Sequence, residues 1–498
     1  MTKLDELKII QKELHDYSTA CVLLSWDLKT ETPKYGIDNV VSSLTALSTK
    51  HFELSTSERM EKLVYALNEP DEYDKLDEVY KKTVRRLKKD FDENKRIPID
   101  FYSQYVASKA KAEAVWQEAK TANDYAMFSP YLEKNIANAI QMQKYVHPEM
   151  EPYAAMLDNH EKGFDEATLD KIFGELKEFL IPFVREILSK QEPDDSKFKG
   201  TFDINKQKEL SRFLLEYIGF DFERGCIAES EHPFTTGADR NDVRITNHYY
   251  SEDIISAVFS IIHEGGHGLF MQGPDEVYDF TPFADCGYMG LHESQSRIWE
   301  NILGRNINFW KPIYSKVQEL FPEYEKISLE DFYKEINHIR TGYIRTESDE
   351  VTYCFHIIIR YELEKELMSG RLNVTELPDA WNAKMKEYLG IEPPTDTLGV
   401  MQDTHWASGL FGYFPSYLLG SVYDGMFLEQ LEKELGDIDK ILAEGRVKEI
   451  TSWLHDKIHR FGGYREPKEV LMEVCGREAD AKPLIKYFSE KYTQLYNL

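Results

Sequence analysis

Apolar residues recur at three- and four-residue steps along most of this chain. Leu4, Leu7, Ile10, Leu14, Tyr17, Cys21 and Leu24 make one such stripe. That spacing places apolar side chains on one face of a helix and leaves the other face to water. The pattern returns through 57–92, 98–120, 127–145, 168–190 and 206–219, then through 252–270, 291–309, 329–342, 348–369, 378–389, 414–435, 438–460 and 467–495. Strict alternation, the mark of a half-buried strand, is scarce. Its best instance is DVRITNHYY (242–250), where Val243 and Ile245 fall on one side; a short hairpin or small sheet is expected there. The chain therefore reads as mainly α. The polar stretch QEPDDSKFKG (191–200) suggests a division into a helical lobe over 1–190 and a larger lobe over 200–498. A surface loop within one continuous unit fits the same residues.

Composition narrows the function classes. With 42% apolar and 30% charged residues over 498 positions, the chain can bury a large core. A formal charge of −28 repels phosphate backbones, so no nucleic-acid partner is expected. No membrane partner is expected either: the most apolar run, IISAVFSII (254–262), is short for a span. The N-terminal MTKLDELKII is charged from its start and lacks the pattern of a secretory signal. Five scattered cysteines without a CxxC pair suit reduced thiols, hence a cytoplasmic location.

The residues that carry chemistry begin at SIIHEGGHGLF (260–270). On a helix, His263 and His267 lie one turn apart on the same face, and Ile255 and Phe259 continue that stripe into the core. Ser251, followed by Glu252 and Asp253, offers a helix start. Gly265 and Gly266 each cost about 1 kcal/mol within a helix. Metal ligation, worth on the order of 10 kcal/mol, offsets such a cost, and glycine also lets another backbone approach closely. In an HExxH pattern two imidazoles hold zinc, which brings the pKa of a water to about 7, and the glutamate, here Glu264, takes the proton. A catalytic site needs a third ligand. The helix pattern LHESQSRIWENILG (291–304) offers Glu293, on a face shared with Ser296 and Glu300, with His292 as a rival.

An ordered series of motifs extends beyond these residues: LLSWD (23–27), HPF (232–234), DVRIT (242–246), HEGGH (263–267), HESQS (292–296), IRTESDE (344–350), GVMQDTHW (399–406) and FGYFPSYLLG (411–420). In this series the chain resembles the thermostable carboxypeptidase family of HExxH metallocarboxypeptidases. The resemblance implies His263, His267 and Glu293 as metal ligands and Glu264 as general base. It implies a helical fold with a deep groove, neurolysin-like, and a homodimer with one Zn2+ (or Co2+) ion per subunit. It further implies release of C-terminal residues from peptides with broad specificity. Ser348 departs from the alanine usual before the aspartate of IRTESDE.

A carboxypeptidase must hold a free terminal carboxylate, for which the planar arginine fork is suited. Arg345 is the first candidate and Arg244 the second; ion pairs with Asp349 and Asp242 are their structural alternatives. His232, His405 and Tyr413 offer donors near the reacting carbonyl. Asp349 and Asp403 are candidate partners for the ligand histidines. Two rival readings use the same residues: an endo-acting zinc oligopeptidase, which needs no carboxylate grip, and a metal-stabilised peptide-binding scaffold.

Overall fold

A computed structural model describes residues 1–190, 196–285 and 287–498. Helices dominate it, joined by one small sheet. The first helix, Lys3–Thr30, opens on a reciprocal cap between Thr2 and Asp5. Its stripe gives Leu7 and Ile10 to a minor apolar cluster with Met60, Leu63, Val64, Leu67, Leu76, Val84 and Phe91. A major core runs from Ala119 to Tyr492, so residues on both sides of 191–195 share one interior. The boundary segment expected at 191–200 begins outside the described residues.

Several long patterns are broken into shorter helices. The pattern over 57–92 becomes Glu58–Leu67, Pro70–Tyr73 and Glu78–Lys95. That over 438–460 becomes Ile438–Ala443 and Val447–Lys457, parted at Gly445, whose φ of +70° suits glycine. The helix Ile37–Ser55 escaped the periodicity because it buries no residue. Pro152–His160 is nine residues long, too short to establish a stripe.

The alternating stretch forms β3 (Val243–Asn247), the centre of a three-stranded sheet of order β1-β3-β2. Its neighbour β1 (Gly225–Glu229) runs parallel, with Gly225 opposite Val243. On the other side β2 (Thr235–Gly237) runs antiparallel, with Thr235 opposite Ile245. Val243 and Ile245 are fully buried and anchor the sheet to the helix Ile254–Gln272.

That helix lies within the major core. By length and composition it is apolar enough to cross a membrane, contrary to the expectation from its first nine residues, yet 67% of the apolar window is buried inside the protein. Its cap is Asp253, which accepts the Ser256 amide at 3.1 Å, rather than Ser251. The glycine pair is explained by what lies against it. A Cβ on Gly266 would stand 2.2 Å from the Gln295 carbonyl oxygen. One on Gly265 would stand 2.7 Å from side-chain carbons of Leu215 and Ile218. The two glycines thus admit the helices Met289–Arg297 and Ile204–Ile218 at close range on different sides.

Candidate metal centre

The close crossing at Gly266 brings Glu293 to the two histidines of the Ile254–Gln272 helix. Glu293 Oε2 lies 3.8 Å from His263 Nε2 and 3.6 Å from His267 Nε2. All three donor atoms fall within 4.8 Å of one another. A tetrahedral ion with bonds near 2.1 Å sets its ligands roughly 3.4 Å apart, so the arrangement fits a small divalent cation with little adjustment.

Partners behind the ligands fix which atoms face inward. His263 Nδ1 is 2.8 Å from Glu300 Oε2, and His267 Nδ1 is 2.6 Å from His292 Nδ1. Both Nε2 atoms are left for the ion. Arg297 Nε donates to Glu293 Oε1 at 2.7 Å, which leaves Oε2 turned to the histidines. His292 is therefore placed behind His267, away from the candidate metal position. Asp349 and Asp403, the partners suggested by the sequence, are not behind the histidines. Asp349 instead caps the helix Thr352–Met368, accepting the amides of Val351 and Thr352, and Asp403 pairs with arginines.

The electrostatics favour a cation at this point. Burial opposes charge on His263, but Glu293 and Glu300 outweigh it and push its pKa up to about 9. Burial would raise Glu300, yet its bond to His263 and the nearby positive charges hold it at about 2. Burial, with His292 and His263 close by, keeps His267 well below the usual imidazole range. Glu264 is 7% exposed, and burial raises its carboxyl above the ordinary value. Thr235 Oγ1, on β2, donates to Glu264 Oε2 at 2.7 Å. Sheet and helix together therefore hold the carboxylate beside the ligand pair.

Arg345 lies deep, 8% exposed. Its Nε and Nη2 donate to Asp403 Oδ1 at 3.1 and 3.0 Å, and its Nη1 to the Tyr353 hydroxyl at 3.0 Å. The partner is thus Asp403, not Asp349. Arg360, fully buried, shares that carboxylate: its Nε donates to Asp403 Oδ2 at 2.7 Å. Burial would raise Asp403, but the two guanidinium groups hold it below the ordinary carboxylate range.

His405 Nε2 lies 3.1 Å from the Tyr417 hydroxyl. Burial, assisted by both arginines, pushes its pKa down to about 4, so the imidazole is neutral. Tyr413 donates to Met289 Sδ at 3.5 Å, and its ring is 5.5 Å from that of His405. Arg244 is taken up by Asp242 through two bonds of 2.8 and 3.0 Å, the alternative anticipated for it. The His232 side chain is exposed; its carbonyl accepts from Ser230.

Sequence reasoning assigned no role to Thr235, Arg297, Tyr353, Arg360 or Glu300. Glu300 was legible in part, since it shares a helix face with Glu293. Arg360 had a signal of its own: an arginine within the apolar run HIIIRY (356–361) must have a partner when buried.

Comparisons with known proteins identify the family of the chain. The family model described as Carboxypeptidase Taq (M32) metallopeptidase matches residues 6–492. Carboxypeptidase 1 of Bacillus subtilis is 42% identical, covering 98% of this chain and 97% of that protein. Thermostable carboxypeptidase 1 of Thermus thermophilus is 34% identical, over 98% and 97% of the two chains. The crystal structure of the M32 carboxypeptidase from Deinococcus radiodurans R1 covers both chains fully at 30% identity, with a TM-score of 0.96. With its helical architecture and its cluster of two histidines and a glutamate, the chain belongs to the M32 carboxypeptidase Taq family and is a metallocarboxypeptidase, a peptide hydrolase.

Proposed function

We propose that this metallocarboxypeptidase uses one zinc ion per subunit, held by His263, His267 and Glu293, to release C-terminal residues from peptides with broad specificity. The observation that carries this reading is the convergence of those three donors beside the buried Glu264. Zinc bound there would supply Lewis acidity toward a peptide carbonyl and would acidify a water. Cobalt suits the same donor set.

Glu264 takes the proton of the attacking water and returns it to the departing amine. Its raised pKa suits both transfers, and Thr235 orients it. Arg345 and Arg360 share the single carboxylate of Asp403, so the trio is left with a net positive charge. A peptide's terminal carboxylate compensates that charge. Arg345, the more accessible of the two, is the grip. His405, Tyr413 and His232 supply donors toward the reacting carbonyl oxygen.

The same reading has the protein acting as a homodimer in the cytoplasm, on peptides with a free C-terminus and with neither nucleic acid nor membrane. The net charge of −28 supports the exclusion of nucleic acid. Exposed Tyr35, Phe52 and Ile99 supply apolar surface for a second copy, which sedimentation would detect.

Metal analysis combined with timed mass spectrometry of one peptide, as free acid and as amide, tests the function. The expected result is a ladder shortening from the free C-terminus, blocked by amidation, lost on chelation and restored by zinc. Internal cleavage of the amide would instead make the enzyme an endo-acting oligopeptidase. Activity unaltered in Glu264→Gln would remove the proposed base.

A further inference from the structure

Arg345, the proposed carboxylate grip, and Arg297, which holds Glu293, touch different parts of one side chain. Tyr353 stands in the first turn of the helix Thr352–Met368 and is 4% exposed. Its hydroxyl accepts from Arg345 Nη1 at 3.0 Å. Its ring face receives the Arg297 guanidinium, whose Cζ lies 3.8 Å from the centroid. Arg297 in turn holds the third ligand, Glu293. An unbroken run of contacts thus passes from Glu293 through Arg297 and Tyr353 to Arg345, and on to Asp403.

We infer that Tyr353 is a positioning residue that sets the spacing between the metal and the arginine that grips the terminal carboxylate. The inference rests on the assignment of Arg345 as that grip. An enzyme that removes one residue at a time needs this spacing fixed. A peptide anchored by its terminal carboxylate presents the last peptide carbonyl at one distance only, and a small misplacement there costs rate steeply. Two loose arginines would not hold it. The tyrosine side chain is rigid and offers two different contacts. Its hydroxyl accepts from the Arg345 guanidinium, which lies 5.8 Å from the ring centroid, and its π face holds Arg297 at 3.8 Å by cation–π attraction. Both contacts are buried, where each is worth more than at the surface.

Two substitutions take the device apart. Tyr353→Phe removes the hydroxyl and keeps the ring. It should raise KM for an N-blocked dipeptide acid and lower kcat, with kcat/KM down about tenfold or more and zinc affinity unchanged in a chelator competition. Tyr353→Leu removes the ring as well and should weaken zinc about tenfold or more. Arg345→Lys should raise KM on its own, and combined with Tyr353→Phe it should add little, because both act on one contact.

The outcomes separate the inference from the reading beneath it. If Arg345→Lys raises KM and Tyr353→Phe does not, Tyr353 has no positioning role while the grip stands. If Arg345→Lys leaves KM unchanged, the grip assignment itself falls. Additive effects of the two changes would mean that Tyr353 acts elsewhere. Should Tyr353→Leu fail to fold, Tyr353→Met, which fills the space without a π face, tests the ring contact; zinc affinity equal to wild type in the folded variant would overturn that half.

Discussion

Thr235 and Glu300 lie outside the proposed catalytic and metal-binding set, yet each holds one of its members. Thr235 holds Glu264 by one hydroxyl bond. Thr235→Val keeps the shape and removes the donor, so kcat should fall about tenfold while zinc stays bound, which steady-state kinetics and metal analysis would read together. Glu300 faces His263 Nδ1. Glu300→Ala should cost roughly 10- to 100-fold in zinc affinity, as outer partners of ligand histidines typically do; equal affinity would show that His263 is oriented without it. At this scale the sequence was legible where spacing alone dictates position. His263 and His267 are four apart on a helix, and that suffices to place them on one face. Thr235 comes from a strand remote in sequence, and nothing local marks its target. The same holds for Asp403, which lies far along the chain from the two arginines it serves.

Helix crossings do for the site what spacing does within a helix. The Ile254–Gln272 helix could be read from its apolar face, and the strand at 243–247 from its alternation. The crossing angle and depth of their neighbours could not, because periodicity reports which face is buried and not against what. Only the glycine pair hinted at it. Gly266 admits the backbone of the Met289–Arg297 helix, and with it Glu293. Gly266→Ala places a Cβ 2.2 Å from the Gln295 carbonyl oxygen, where no flexible side-chain end can yield. The helices must part. Stability should fall by about 1–3 kcal/mol, and zinc affinity should fall with it, since Glu293 moves as the helix moves. Denaturant unfolding of the apoprotein and chelator competition would measure the two effects; a stable variant with wild-type zinc affinity would show that the crossing has slack. The six-residue π-helical segment Ile298–Leu303 that follows Arg297 was likewise beyond an apolar pattern, since a widened turn leaves the identity of the buried residues nearly unchanged.

Across the whole molecule, two buried glutamates join the helices before residue 165 to the catalytic half. Glu161 accepts the Gly290 amide and the Tyr423 hydroxyl, each at 2.8 Å. Glu364 accepts the Tyr153 hydroxyl, the Trp406 indole N–H and the Gly412 amide at 3.1, 3.0 and 3.0 Å. Burial outweighs these donors and pushes both carboxyl groups up to about 7. In the unfolded chain both return to about 4.5. The folded protein therefore keeps two protons that the unfolded chain releases between those values. The resulting stability is complete below about pH 4.5 and is lost as pH rises through 7, with a slope of about 1.4 kcal/mol per pH unit for each group. Other titrating groups, the ligand histidines included, contribute their own slopes, so the prediction is made for a difference. Glu364→Gln carries an amide that cannot ionise. Relative to wild type, it should gain stability from pH 5 to about pH 7, by up to about 3 kcal/mol, and then level off towards pH 8, whatever constant offset the amide introduces. Urea unfolding of both proteins at pH 5, 6, 7 and 8 gives that difference directly. Parallel stability curves would mean that Glu364 is ionised throughout, with its three donors sufficient to stabilise a buried anion.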